Sequence, residues 1–175
     1  MKFRKAVLAD IPAVARIFEE VIEAQEQGLL TVGWQKGVYP TEETALAALA
    51  RDDLFVEEDD GQIVATAIIN QLQVDVYENA PWKHPAKEED VMVLHTLAVS
   101  PNHGGKGCGS AFVKFYEAYA RQHGCFFLRM DTNERNLRAR RLYERLGYQE
   151  IGVAPCTFNG ISGVNLVLLE KHLEA

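Results

Sequence analysis

The feature that most limits what this chain can become is a junction. An apolar run from Val91 to Val99 leads, after a short gap, into Gly104-Gly105-Lys106-Gly107-Cys108-Gly109 and then an amphipathic stretch reaching about His123. Strand, glycine turn and helix together make a phosphate site. Glycines let the backbone come close, and the first helical N–H groups point outward at the positive end of the dipole. Two relatives of this arrangement fail by counting. The P-loop requires Ser or Thr after its lysine, but Lys106 is followed by Gly107. The dinucleotide fingerprint requires a third glycine where this chain has Ser110 or Phe112, depending on the starting glycine. Asp131, closing the next strand, still mimics the ribose-binding acid of that fold, which keeps nicotinamide binding as a rival.

Elements on either side can be read from periodicity. Phe3 to Val7 is a first strand. Asp10 is the expected N-cap of a helix, with Pro12 tolerated in its first turn, and apolar residues recur at helical spacing from Ile11 as far as Gly28. A loop with Trp34, Tyr39 and Pro40 precedes a second helix capped by Thr41. Leu54 to Glu57 and Ile63 to Val74 are predicted strands joined by a turn at Asp59-Asp60-Gly61. Asp75 to Asp90 is irregular, and a loop that long in one domain is often functional. His95 and Thr96 interrupt the apolar strand before the glycine turn. Phe126 to Met130 is a strand ending at Asp131, and Asn136 to Leu146 is a helix stopped by Gly147. Final strands lie near Tyr148 to Val153 and Val164 to Leu169. The order β-α-α-β-β-β-α-β-α-β-β mixes hairpins with crossovers, which is the α+β class.

Bulk properties narrow the function. The 175 residues fit a single domain spanning 1–175. A net charge of −7 argues against a nucleic-acid partner, which needs clustered cations, yet leaves room for a small phosphorylated ligand held by backbone N–H groups. Cys108, Cys125 and Cys156 are odd in number and lack C-x-x-C spacing, against a disulfide framework or a cysteine zinc site. No apolar run approaches spanning length and the start shows no signal-peptide pattern, so the expectation is a cytoplasmic protein without a membrane partner.

With these elements placed, the segment Leu97-Ala98-Val99-Ser100-Pro101 through Gly109 resembles motif A of the GNAT superfamily of N-acetyltransferases, L-x-V-x-P followed by [RQ]-x-x-G-x-[GA]. Asn136-Leu137-Arg138-Ala139-Arg140-Arg141-Leu142-Tyr143-Glu144-Arg145-Leu146-Gly147-Tyr148 resembles the family's next block, N-x-x-A-x-x-x-Y-x-x-x-G-[FY]. Order and separation agree. One position departs: Gly104 stands where the family has Arg or Gln.

The resemblance implies a mixed, mostly antiparallel sheet with splayed fourth and fifth strands and helices on both faces. It implies acetyl-CoA as cosubstrate and an amine-bearing acceptor, with no metal, and allows a homodimer. By position, Leu97, Ala98 and Val99 would pair with the pantetheine arm, and Gly104, Gly105, Lys106, Gly107, Cys108 and Gly109 would hold the diphosphate. Asn136 would bind the pantetheine arm or cap its helix. Tyr143 matches the family's general acid, and Asn136, Arg140 and Tyr143 fall on one helical face by spacing alone. Asp131 and His95 are alternative general bases, and either could instead be structural. Trp34 and Tyr39 are candidate acceptor-binding aromatics, with Tyr77, Trp82 and His84 from the irregular segment beside them; packing is an equal reading. The arginines of the last helix read mainly as a solvated face, with Glu134 and Arg138 an i, i+4 pair. A non-catalytic acyl-CoA-binding protein on this scaffold is the alternative function.

Overall fold

The computed structural model describes residues 1–174. Its strands are β1 (Lys2–Lys5), β2 (Leu54–Asp59), β3 (Gln62–Asn70), β4 (Val91–Val99), β5 (Phe127–Asn133), β6 (Gln149–Phe158) and β7 (Ile161–His172). Its helices are α1 (Ile11–Glu26), α2 (Glu42–Ala50), α3 (Cys108–Gln122) and α4 (Leu137–Arg145). The strands form one seven-stranded sheet in the order β1-β2-β3-β4-β5-β7-β6. Among the described residues only β4 and β5 pair in parallel, joined by the α3 crossover. The class is α+β, as expected.

Alternation along the strands divides the core between two faces. Phe55, Met92, Leu94, Leu128 and Met130 turn toward α3 and α4, which contribute Phe112, Tyr116 and Tyr143. The opposite face is covered by α1 and α2 over Val56, Ile68 and Ala98. Further along that face, Tyr77 and Trp82 of the irregular segment cover Val91, Val93 and Leu168.

A single insertion in β4 determines where a site can form. From Ile68–His95 to Thr66–Ala98, β3 advances by two residues and β4 by three. Thr96 lies within the bulge at φ +51°. Since side chains alternate along a strand, the extra residue reverses the facing of everything after it. Met92 and Leu94 face α3 before the bulge; Leu97 and Val99 pack on that side after it, and Ala98 joins the α1 side. Pairing between β4 and β5 ends at Leu94–Met130, whereas β5 stays paired with β7 out to Asn133–Leu166. The parallel strands fork there.

Several boundaries differ from the sequence reading, each with a local cause. Asp10 makes no capping bond to α1; its carboxylate accepts the Val7 N–H at 2.8 Å and pairs with Arg4 at 2.6 Å. β3 stops at Asn70 rather than Val74. The Asn70 side chain accepts the Leu72 N–H at 2.9 Å and donates to Asp53 at 2.8 Å, turning the chain out of the sheet. β5 continues past Asp131 because β7 supplies a ladder for it.

Candidate functional site

The mouth of the fork is main chain. After Pro101–His103 the backbone turns through Gly107, which precedes α3 at φ +82°, a left-handed conformation that glycine adopts without strain. The first helical bond runs from Ala111 N–H to Gly107 O at 2.9 Å. Among the described residues, the N–H groups of Cys108, Gly109 and Ser110 therefore have no main-chain acceptor. These residues, with Gly104, Gly105 and Gly107, line a cleft of about 480 Å³. Lys106 is exposed and outside that lining. Cys108 is buried as the first residue of α3, and burial pushes its thiol above the ordinary range. A Cβ on Gly109 would come 3.3 Å from Leu142 Cδ2, so its absence lets α4 close on α3.

The wall of the cleft is the free edge of β4. Ser100 N–H donates to Val64 O at 2.9 Å, and Ala98, two residues back, stands opposite Thr66 in the same phase of the ladder. The N–H and C=O of Val99 between them thus point away from β3, toward the space β5 has left. Leu97 borders the same space.

Deeper in the fork is a second cavity of about 110 Å³, which shares Leu97, Asn136, Ala139 and Tyr143 with the first. Tyr143 is only 6% exposed and packs edge-on to Tyr148. Burial pushes its phenol well above the usual range. Asn136 caps α4 by accepting the Ala139 N–H at 3.2 Å, which leaves its amide NH₂ to donate. The face turned to the fork is Asn136, Ala139 and Tyr143; Arg140 turns instead to Glu150, at 2.7 and 2.9 Å.

The two candidate bases bracket this cavity. The last parallel pair is Leu94–Met130, so His95 and Asp131 are the next residues on either prong. Both line the cavity. Burial raises Asp131 to about 6, opposed by the Tyr77 hydroxyl, which donates to Oδ2 at 2.6 Å. Burial lowers His95 to about 4. His95 Nε2 lies 2.9 Å from Asn70 Oδ1, an oxygen that already accepts the Leu72 N–H, so the imidazole donates there. Trp34 and Tyr39 also line the cavity, edge to face with each other. Burial raises the Tyr39 phenol to about 12, and its hydroxyl bonds to Thr96.

The irregular segment divides. Tyr77 reaches the site only through Asp131, while Trp82 and His84 lie elsewhere: Trp82 under the Arg129 guanidinium at 4.2 Å, His84 stacked on His172. Sequence reasoning missed Phe158, Asn133 and Gly33 in the cavity wall. Gly33 had a signal in its residue type, since a Cβ there would lie 2.3 Å from Asn133 Nδ2. Phe158 and Asn133 had none, because they arrive through β6 and β5 extending beyond their predicted ends.

Known proteins share this architecture. Among solved structures, an acetyltransferase of the GNAT family from Streptococcus agalactiae aligns with TM-score 0.82 at 23% identity, over 99% of this chain and 96% of that one. YncA of Salmonella typhimurium, solved with its cofactor acetyl-CoA, aligns with TM-score 0.71 at 19% identity, over 99% and 94%. At those identities the likeness speaks for the fold alone. An uncharacterized N-acetyltransferase of Bacillus subtilis, YhfO, is 26% identical over 152 residues, 86% of this chain and 91% of the relative. The acetyltransferase (GNAT) family profile matches residues 16–148, most of the chain. This chain belongs to the acetyltransferase (GNAT) family.

Proposed function

We propose that this protein transfers the acetyl group of acetyl-CoA to a primary amine by direct attack in a ternary complex. One observation carries the reading. The fork between β4 and β5 joins a cleft rimmed by unpaired helix amides to a small cavity holding a buried phenol and a half-buried carboxylate. The amides at the start of α3 suit the diphosphate of the donor. The free edge of β4 around Leu97 to Val99 suits the pantetheine amides, and an N–H on that edge can stabilise the thioester oxygen as it gains charge.

The amine attacks the thioester carbon, and collapse of the tetrahedral intermediate breaks the C–S bond. Tyr143 sits between the two cavities and is the proton donor to the departing thiolate. Burial keeps it a neutral phenol, and the same desolvation makes the thiolate more basic than in water. An alkylamine with pKa near 10.4 is neutral at pH 7 in only about one molecule in a few thousand. Asp131 is the stronger of the two candidate bases and takes that proton. With a pKa of about 6 it is mostly ionised at neutral pH, and its negative charge attracts the incoming ammonium. His95, lowered to about 4, is a weak base and serves as part of the wall.

The test is thiol release from acetyl-CoA across a panel of primary amines, with mass spectrometry of the acceptors. Amine-dependent release with acetylated product is expected. Acetyl-CoA binding without release on any amine would replace this reading with the non-catalytic acyl-CoA-binding one.

A further inference from the structure

Lys106, the lysine of the glycine loop, lies outside the lining of the cleft, so the loop turns no lysine or arginine into its mouth. Gly104 has φ −59° and ψ 144°, a conformation open to any residue, so the backbone does not demand glycine there. A Cβ at this position would meet Pro101 O at 3.1 Å and Arg138 Nη2 at 3.6 Å. The space a side chain would leave toward is thus taken by a guanidinium reaching from α4 on the other side of the cleft, which both residues line.

Nothing among the described residues accounts for Arg138 being there. It sits in the first turn of α4, where the helix dipole disfavours a cation. The expected i, i+4 pairing with Glu134 does not form, because Glu134 Oε1 accepts from Asn165 Nδ2 at 2.8 Å. Arg140, by contrast, is held by Glu150 and by Glu134 O. Among the described residues no carboxylate and no carbonyl holds Arg138, so an unpartnered cation lines the same cleft as the bare amides.

We infer that Arg138 is a diphosphate-binding residue, supplying from α4 the charge that position 104 lacks and closing the cradle across the cleft from α3. This rests on the reading of the cleft as the acetyl-CoA site. The amide rim of α3 and one guanidinium from α4 then face the anion from two sides, and the grip depends on α4 staying docked against Gly109.

Calorimetric titration of the wild type and Arg138→Ala with three donors separates the cases. Acetyl-CoA and its 3′-dephospho form should both bind roughly 10-fold more weakly to the variant, the scale of one charge-assisted contact at a half-open site. S-acetylpantetheine, which has no diphosphate, should bind both proteins alike. Adding Gly104→Arg to Arg138→Ala should restore most of the lost affinity, with Pro101 O yielding a few tenths of an ångström. A loss confined to acetyl-CoA would move the contact to the 3′-phosphate and overturn the assignment. A loss shared by S-acetylpantetheine would make the effect a distortion of the cleft, and unchanged affinity or absence of rescue would also overturn it. If the wild type itself ignores acetyl-CoA, the functional reading falls. If the wild type binds and Arg138→Ala matches it, only the role of Arg138 does.

Discussion

The mouth and the throat of the fork are built from different materials. At the mouth the groups proposed to act are main-chain N–H donors fixed by the turn at Gly107 and the first turn of α3. In the throat they are side chains, Tyr143 and Asp131, whose chemistry is set by burial and by one hydrogen bond from Tyr77. Main-chain sites depend on backbone conformation and tolerate changes in neighbouring side chains. Side-chain sites depend on atoms that a single substitution removes. Donor binding and turnover should therefore respond to separate sets of mutations.

The largest expected effect is in the throat. Tyr143→Phe keeps the buried ring and deletes the proposed proton donor, so kcat should fall roughly 10²–10⁴-fold while acetyl-CoA affinity hardly changes. Calorimetry beside steady-state kinetics reads both. A kcat within a few-fold of wild type would remove Tyr143 from the reaction and blur the contrast with the mouth.

Asp131→Asn should lower turnover by about 10²–10³-fold and, unusually, stabilise the fold at neutral pH. Its carboxyl is raised from 3.8 to about 6 in the folded state, chiefly by burial. The folded protein therefore favours the protonated form: any benefit is present at low pH and is lost as pH rises through about 6. At pH 7 the ionised carboxylate costs on the order of 2–3 kcal/mol, a penalty the amide avoids while still accepting from Tyr77. Thermal melts should show the variant above wild type near neutrality and level with it near pH 4. Equal melting at both would mean that the carboxylate is not strained in its cavity.

At the mouth, Gly107→Ala should weaken acetyl-CoA binding by roughly 10-fold, because an alanine held at φ +82° costs about 1–2 kcal/mol and the loop relaxes away from its geometry. Saturating donor should then restore most of the wild-type kcat, the opposite of the Tyr143→Phe pattern. A kcat loss that persists at saturation would show that the loop also places the reacting thioester.

The same contrast explains what was legible in the sequence. Glycine spacing reports backbone geometry directly, so β4, the glycine turn and α3 could be located from residue types alone. The Asn136 to Tyr143 face was half legible: helical spacing put Tyr143 on the fork, but Arg140 found Glu150 on β6 and Ala139 took its place. The throat depended on long-range register. His95-Thr96 was visible as a polar break in an apolar strand, yet the reversal of facing follows from the bulge against β3, which no local pattern encodes. Asp131 and His95 remained equal candidates until burial separated them, one raised to about 6 and the other lowered to about 4. The irregular segment was flagged for its length, but its parts do different work. Buried Arg129 and Glu170 hold its middle, with Glu170 accepting the Lys83 N–H at 2.7 Å, while Tyr77 alone is carried to the site.

Tyr77 gives the smallest and most discriminating effect. Its ring is 1% exposed and packs edge-on to Trp82, so Tyr77→Phe preserves the packing and deletes one hydroxyl. That hydroxyl donates to Asp131 at 2.6 Å and lowers its pKa, against the stronger upward push of burial. Without it the carboxyl should titrate higher than about 6. A rise of one unit, worth about 1.4 kcal/mol, is the scale of one hydrogen bond to a charged group. The acid limb of the rate profile should then move toward neutrality, with turnover down a few-fold near pH 7 and unchanged near pH 9, where Asp131 is ionised in both proteins. If the base were His95 or a water chain that bypasses Asp131, the acid limb would stay where it is, because Tyr77 touches neither. A shifted limb with donor affinity intact would place the control of proton transfer in a loop the sequence marked only as irregular, and wholly apart from the amides at the mouth.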